Sequence, residues 1–234
     1  MKYELRGDRI VDLSQTLEPG IPRPVGFPDP ELTFFRTIAE GDIINVDKLT
    51  VGLHSGTHID APMHFIEGGE SIDQMAPEII IGSAVVVDLR HKTGSVPIER
   101  TDIVEWEDKT GETVREGDAL LLMTGFSQYW KTGPEGEAFL TNGWPYVTRS
   151  LADFVLERKV RLVGVEVMDL DLIDPYDLST SEFVGHRTFL ANGVGIIENL
   201  TNLDKIGATR CSIIATPLKI KGGSGSPIRV IALV

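Results

Sequence analysis

The stretch His54-Ser55-Gly56-Thr57-His58-Ile59-Asp60-Ala61-Pro62-Met63-His64 decides how this chain is read. Three of the five histidines fall inside it, with Asp60 among them. On a helix, His54 and His58 would share a face, but Asp60, six residues beyond His54, would turn away from it. Gly56 and Pro62 also oppose a helix. On an extended chain, positions 54, 58, 60 and 64 have one parity and point to one side. A strand running into a Pro-bent loop would thus bring two imidazoles and a carboxylate to one point.

That donor set suits a divalent metal. Neutral imidazoles and a carboxylate bind Zn²⁺ or Mn²⁺, and a catalytic zinc keeps three protein ligands and an open position. His54, His58 and Asp60 are the candidate ligands. Helical zinc proteases carry H-E-x-x-H, whereas Ser-Gly-Thr separates these histidines, so no glutamate base lies between them. His64, on the same side and able to titrate near neutrality, is the candidate general acid/base. The plainer alternative makes all four residues hydrogen-bonding loop or core groups; one segment holding them all argues against it.

Working outward, strand character extends over 10–17, 32–38, 43–53, 79–89, 118–123, 160–167, 194–197, 211–218 and 228–234. The runs IIIGSAVVVDL (79–89) and DALLLM (118–123) are nearly continuous in apolar residues, as strands covered on both faces are. Residues 101–107 open a short helix with Thr101 or Asp102 as its cap. Residues 147–158 (VTRSLADFVLER) have helical periodicity. Five prolines between Pro19 and Pro30 make that stretch an extended loop. The aromatic-rich 126–145 reads as a long loop, and 168–183 as acidic and irregular. The predicted class is α/β, one domain over 1–234, with a mixed sheet or barrel-like β core and interspersed helices.

Composition sets outer limits. Hydrophobic residues make up 41% and charged residues 24%, ordinary for a globular chain. With 22 basic and 35 acidic residues the formal charge is 22 − 35 = −13, which disfavours nucleic acid or an anionic membrane as partner. Cys211 is the one cysteine, so no disulfide forms within the chain, and it is expected as a small buried hydrophobe. The beginning, MKYELRGDRIVDL, does not have a signal-peptide pattern, and no run approaches about 20 apolar residues. A cytoplasmic protein is the expectation.

HSGTHIDAPMHF (54–65) resembles the signature H-x-G-T-H-x-D-x-P-x-H-F of the cyclase-type metal-dependent hydrolases, a family that includes bacterial kynurenine formamidases and isatin hydrolases. VDLSQTLEPGIP, GDALLLMTGFSQYW, GHRTFLANGVGIIENLTNL and PLKIKGGSGSPIRVIAL are similar to further parts of it, in the same order. The resemblance implies the swivelling β/β/α, cyclase-like fold. It implies His54, His58 and Asp60 as metal ligands, with Asp60 bridging where two ions bind, His64 as acid/base, and His186 and Glu198 completing a second metal position. Without it, His186 would read as a solvated histidine near a loop. His91 is left as a surface residue. The family's loop aromatic, often Trp, has no counterpart where IPRPVGFPDP aligns, and Phe27 is the candidate substitute for contacting substrate.

The function expected is hydrolysis of a small amide, formamide or cyclic lactam or imide by metal-activated water, with His64 moving the proton. A metal-dependent cyclase or dehydratase is the alternative enzyme, and a metal- or ligand-binding protein without turnover the alternative class. Backbone N–H groups near Gly222–Ser224 are candidates to hold an oxyanion, although a plain turn is the simpler reading. The resemblance also implies a homodimer or homotetramer. The loop 19–30 and the aromatics Phe126, Tyr129, Trp130, Phe139, Trp144 and Tyr146 are candidates for interface or lid, core packing being the plainer reading for half of them.

Overall fold

The computed structural model describes residues 7–234; the first six residues, part of the N-terminal stretch read above, lie outside the described residues. In chain order the strands and helices are β1 (Ile10–Asp12), β2 (Glu31–Arg36), β3 (Val46–Thr50), β4 (His58–Asp60), β5 (Ile81–Asp88), β6 (Pro97–Ile98), α1 (Arg100–Thr110), β7 (Ala119–Met123), α2 (Glu137–Thr141), β8 (Tyr146–Val147), α3 (Arg149–Glu157), β9 (Leu162–Val165), α4 (Val184–Ala191), β10 (Gly195–Glu198), β11 (Arg210–Pro217) and β12 (Gly225–Leu233).

The main sheet runs β1-β12-β11-β5-β7-β9-β10-β4, and β4 also pairs with β12. That last pairing closes the strands from β12 round to β4 into a barrel, with β1 attached outside on β12. The sheet is mixed: β5, β7, β9 and β10 run parallel, whereas β4, β11 and β12 pair antiparallel. Helices carry the crossovers between the parallel strands, as parallel pairing requires. The expected α/β class with a barrel-like β core is what the chain adopts.

The continuous apolar runs have the predicted cause. Alternate residues serve two cores. Val85, Val87, Leu120, Leu122, Val163 and Val165 join a cluster with Ile103 and Trp106 of α1, Leu151 and Phe154 of α3 and Phe189 of α4. Their neighbours Ala84, Val86, Ala119, Leu121 and Leu162 join Ile59, Ile197, Ile213 and Val230 in a second cluster that has no α-helix residue and fills the inward side of the sheet. A strand with both faces buried cannot alternate with polar residues.

Several boundaries differ from the sequence reading. The first strand shortens to three residues. Helix α1 begins after Glu99, not at Thr101 or Asp102; Asp102 sits in its first turn and accepts the Glu99 N–H at 2.7 Å. The 126–145 stretch is not all loop: α2 lies within it, and Phe126, Phe139 and Trp144 are buried in the helix-side core. Tyr129, Trp130 and Tyr146 keep partial exposure. Helix α4 was not anticipated. It opens at Phe183, whose left-handed φ of 52° and apolar side chain give no local cap signal. Hairpin β2–β3 stands apart from the barrel, with Phe34, Phe35 and Ile43 exposed.

Gly164 of β9 is a sensitive point of this packing. A Cβ there would lie 2.7 Å from Leu121 Cδ2 and 2.8 Å from Leu200 Cδ1, both in the inward core. Gly164→Ala is expected to destabilise the chain by about 1–3 kcal/mol through overpacking. Thermal unfolding measures this, and an unchanged Tm would refute the account of the inward core.

Candidate metal centre

Strand β4 carries the first half of the site. Its register pairs His58 with Glu198 of β10 on one side and Asp60 with Gly225 of β12 on the other. His58 and Asp60, two apart on an extended strand, point the same way, as parity predicts. The parity argument fails beyond the strand, however, because β4 spans only His58–Asp60. His54 returns to the site through a turn in which Gly56 has a left-handed φ of 63°, and His64 returns through a 3-10 turn starting at Pro62. The rings of His54 and His64 end up stacked, 3.8 Å between centroids. Thr57 pins the turn by donating to Asn199 O at 2.7 Å and accepting Gln15 N–H at 2.8 Å.

Helix α4 and strand β10 bring the second half. His186 is 2% and Glu198 4% exposed, so the solvated-histidine reading is wrong for His186. Asp60 is central. Its Oδ1 lies 2.7 Å from His54 Nδ1 and 3.5 Å from His58 Nε2, and its Oδ2 lies 3.3 Å from His186 Nε2. Glu198 mirrors it, with Oε2 3.5 Å from His58 Nε2 and Oε1 3.5 Å from His186 Nε2. Each carboxylate therefore offers one oxygen to each half.

The outer contacts leave one nitrogen of each ring for this centre. Gly56 O can only accept, so His58 donates through Nδ1 at 2.9 Å and its Nε2 is free. His186 Nδ1 is bonded to Asp171 Oδ2 at 2.8 Å. His54 Nε2 meets Ser224 Oγ at 2.9 Å. The sequence reading missed Asp169, Asp171 and Ser224; the acidic stretch was visible, but nothing local tied it to the histidines. The candidate oxyanion role of the Gly-rich turn is not available at its glycines. The Gly222 N–H is donated to Asp73 and the Gly223 N–H to Ile220 O.

The electrostatics call for a cation. Burial alone would raise Asp60, but His186 and His54 beside it hold the carboxyl well below its ordinary value. Burial, with the charge of Asp169, pushes Glu198 well up, and burial pushes Asp169 up to about 7. Burial lowers His58 and His64 to about 4, leaving both neutral. Burial would lower His186 too, but Asp169, Asp171 and Asp60 together raise it well above the usual range. Asp60 Oδ2 is buried without a hydrogen-bond partner among the described residues. Bonds of roughly 2.1 Å place neighbouring metal ligands about 3.0–3.4 Å apart, and the five separations above run from 2.7 to 3.5 Å. The residues fit a divalent ion, which would add positive charge where buried carboxylates converge.

Over the centre lies a cavity of about 90 Å³, walled by Phe27, Phe65, Ile173 and Phe183 and reached by Arg23, Asp169 and the ring of His64. The Pro-rich loop forms one wall. It is tied by an Arg23–Asp29 ion pair at 3.0 Å and joined to the acidic stretch by Val25 N–H donating to Pro175 O. A larger open cleft, about 990 Å³, lies between α1 and β5 with exposed His91 at its rim, remote from the other imidazoles. The aromatics of 126–146 line neither space.

The cyclase family model matches residues 11–172. The kynurenine formamidase of Erythrobacter litoralis is 31% identical over 225 residues, 95% of this chain and 93% of that protein. Isatin hydrolase A from Ralstonia solanacearum superposes with a TM-score of 0.82 at 31% identity, covering 97% of this chain and 92% of that one. An isatin hydrolase bound to the product analogue thioisatinate superposes with a TM-score of 0.84 at 26% identity, covering 96% of this chain and 92% of that one. With its buried ring of imidazoles and carboxylates around Asp60, the chain belongs to the cyclase family of metal-dependent hydrolases.

Proposed function

We propose that this protein hydrolyses the C–N bond of a small amide, an aryl formamide or a cyclic lactam or imide. The observation that carries the proposal is the arrangement around Asp60: His54, His58 and His186 face its two oxygens, Glu198 faces His58 and His186 from the other side, and His64 stands over the cavity with no hydrogen bond to its ring among the described residues. Similarity to a kynurenine formamidase supports the linear substrate, and similarity to isatin hydrolases supports the cyclic one. Both relatives cover nearly the whole chain.

His54, His58, Asp60, His186 and Glu198 are the proposed ligands of one or two Zn²⁺ or Mn²⁺ ions. The outward split of both Asp60 and Glu198 toward different imidazoles supports two positions. Such an ion polarises a carbonyl and acidifies water. The chain's own residues do the rest. His64, kept neutral by burial, takes a proton from the attacking water and returns it to the leaving nitrogen as the C–N bond breaks. The products are a carboxylate and an amine from a formamide or lactam, or a carboxylate and an amide from an imide. Phe27, Phe65 and Phe183 offer the apolar wall that an aryl group would occupy. A cytoplasmic setting belongs to the same proposal, and cell fractionation checks it.

The hairpin β2–β3 supports the homodimer or homotetramer. Phe35 is 64% and Ile43 94% exposed, and a lone two-stranded hairpin is marginal in water unless something packs on it. A second copy of the chain is the proposed cover.

Four measurements test these points. Incubation with a chelator should abolish turnover of a formamide and lactam panel, and Zn²⁺ or Mn²⁺ should restore it; His54→Ala/His58→Ala protein that still takes up a full complement of metal would refute the ligand set. His64→Ala should retain metal and lose about 10²–10⁴-fold in kcat, and retained turnover would remove His64 from the reaction. Light scattering on a size-exclusion column should give a dimer or tetramer for the native chain and a smaller species for Phe34→Ser/Phe35→Ser/Ile43→Ser; a native monomer would end the assembly proposal. Product analysis that finds water lost instead of consumed would favour a dehydratase.

A further inference from the structure

The short turn Met168–Asp171 has no part in the reaction proposed above, yet both distal residues of the centre hang on it. The Leu170 N–H donates to Glu198 Oε1 at 2.9 Å. Asp171 takes three donors from the start of α4: Gly185 N–H on Oδ1 at 2.6 Å, His186 N–H on Oδ2 at 3.0 Å and His186 Nδ1 on the same Oδ2 at 2.8 Å. The Asp171 N–H is itself held by Asp169 Oδ1 at 2.7 Å.

The first turn of a helix leaves N–H groups that need acceptors. Here the N-cap position is Phe183, which supplies none, and Asp171 reaches in from another segment to fill that need. One carboxylate thus caps α4 and fixes a ring on that helix. With Nδ1 committed to Asp171, the His186 ring can present only Nε2 to Asp60 and Glu198. Asp171 is 3% exposed, so water does not compete for these bonds. Helix and turn are also in tight contact: a Cβ on Gly185 would collide with the Leu170 side chain.

We infer that Asp171 is a positioning residue of the centre: it sets the proton on His186 Nδ1 and aims Nε2 inward, so that the cap of α4 and the geometry of the metal site are one interaction. The inference rests on the proposed metal-binding role of His186. Carboxylates behind metal-bound imidazoles orient the ring and raise its basicity, and removing one costs about 10–100-fold in metal affinity.

The experiment compares wild type, Asp171→Ala, Asp171→Asn and Ala191→Gly in the 234-residue chain. Ala191 is exposed at the far end of α4, so its glycine variant loosens the helix without touching the Asp171–His186 bond. Zn²⁺ affinity is read by competition with a chromophoric chelator, and the His186 Nδ1 proton by nuclear magnetic resonance of metal-free protein. Asp171→Ala should lose about 10–100-fold in Zn²⁺ affinity and the low-field Nδ1 proton, and Asp171→Asn should lose less affinity, since one acceptor oxygen remains. Ala191→Gly should lower Tm yet keep wild-type Zn²⁺ affinity and the Nδ1 proton. Should Asp171→Ala not fold, Asp171→Asn decides. Wild-type affinity in both Asp171 variants, or an equal loss in Ala191→Gly, would overturn the inference. A wild type that takes up no divalent ion would instead overturn the proposed function, and the proton signal would still report on Asp171.

Discussion

Strand β4 is three residues long and closes the barrel by pairing with β10 and β12 at once. Everything at the site depends on that closure. It sets His58 opposite Glu198 and Asp60 beside Gly225, where only a glycine leaves room, since a Cβ there would sit 2.7 Å from His54 Cε1. The sheet's apolar inward face meets a polar centre at this seam. Ile59, between the two polar residues, turns into the inward core and is fully buried. The same alternation that anchors the strand by Ile59 delivers His58 and Asp60 to the other side.

Placing so many charges out of water is expensive unless they are matched. Asp60, Asp169, Asp171 and Glu198 are all buried, as are His58 and His186. Much of the cost is met by fixed donors: Leu170 N–H on Glu198, Gly185 and His186 N–H on Asp171, Asp171 N–H on Asp169. These contacts hold side chains at ligand-like spacings before any ion enters, and preorganisation of that kind is what a metal centre needs. The apolar side chains of Phe27, Phe65 and Phe183 wall the cavity over this polar centre.

Much of the fold was legible because its signals are local. Short apolar runs such as AVVVDL and ALLLM have the length and composition of strands covered on both faces, and VTRSLADFVLER repeats its apolar residues at the helical period. The errors have physical causes. Helix α4 has no cap of its own, because Asp171 caps it across the fold. The parity argument over 54–64 assumed one extended segment, whereas turns at Gly56 and Pro62 deliver His54 and His64. Buried aromatics within 126–145 looked like a loop because their neighbours are Gly, Pro and charged residues.

By itself, the sequence determined the alternation of strands and helices, the mixed β core, and the identity of His54, His58, Asp60 and His64 as a set, since residue type and short-range spacing are written along the chain. The resemblance to a known family added His186 and Glu198. Only the tertiary structure decided which nitrogen of each ring faces the centre, that Phe27 reaches the cavity, and that Asp169, Asp171 and Ser224 stand behind the histidines. Those facts depend on hydrogen bonds between segments far apart in the chain, such as Ser224 with His54, 170 positions away. No local propensity encodes such a partner; closing the barrel creates it.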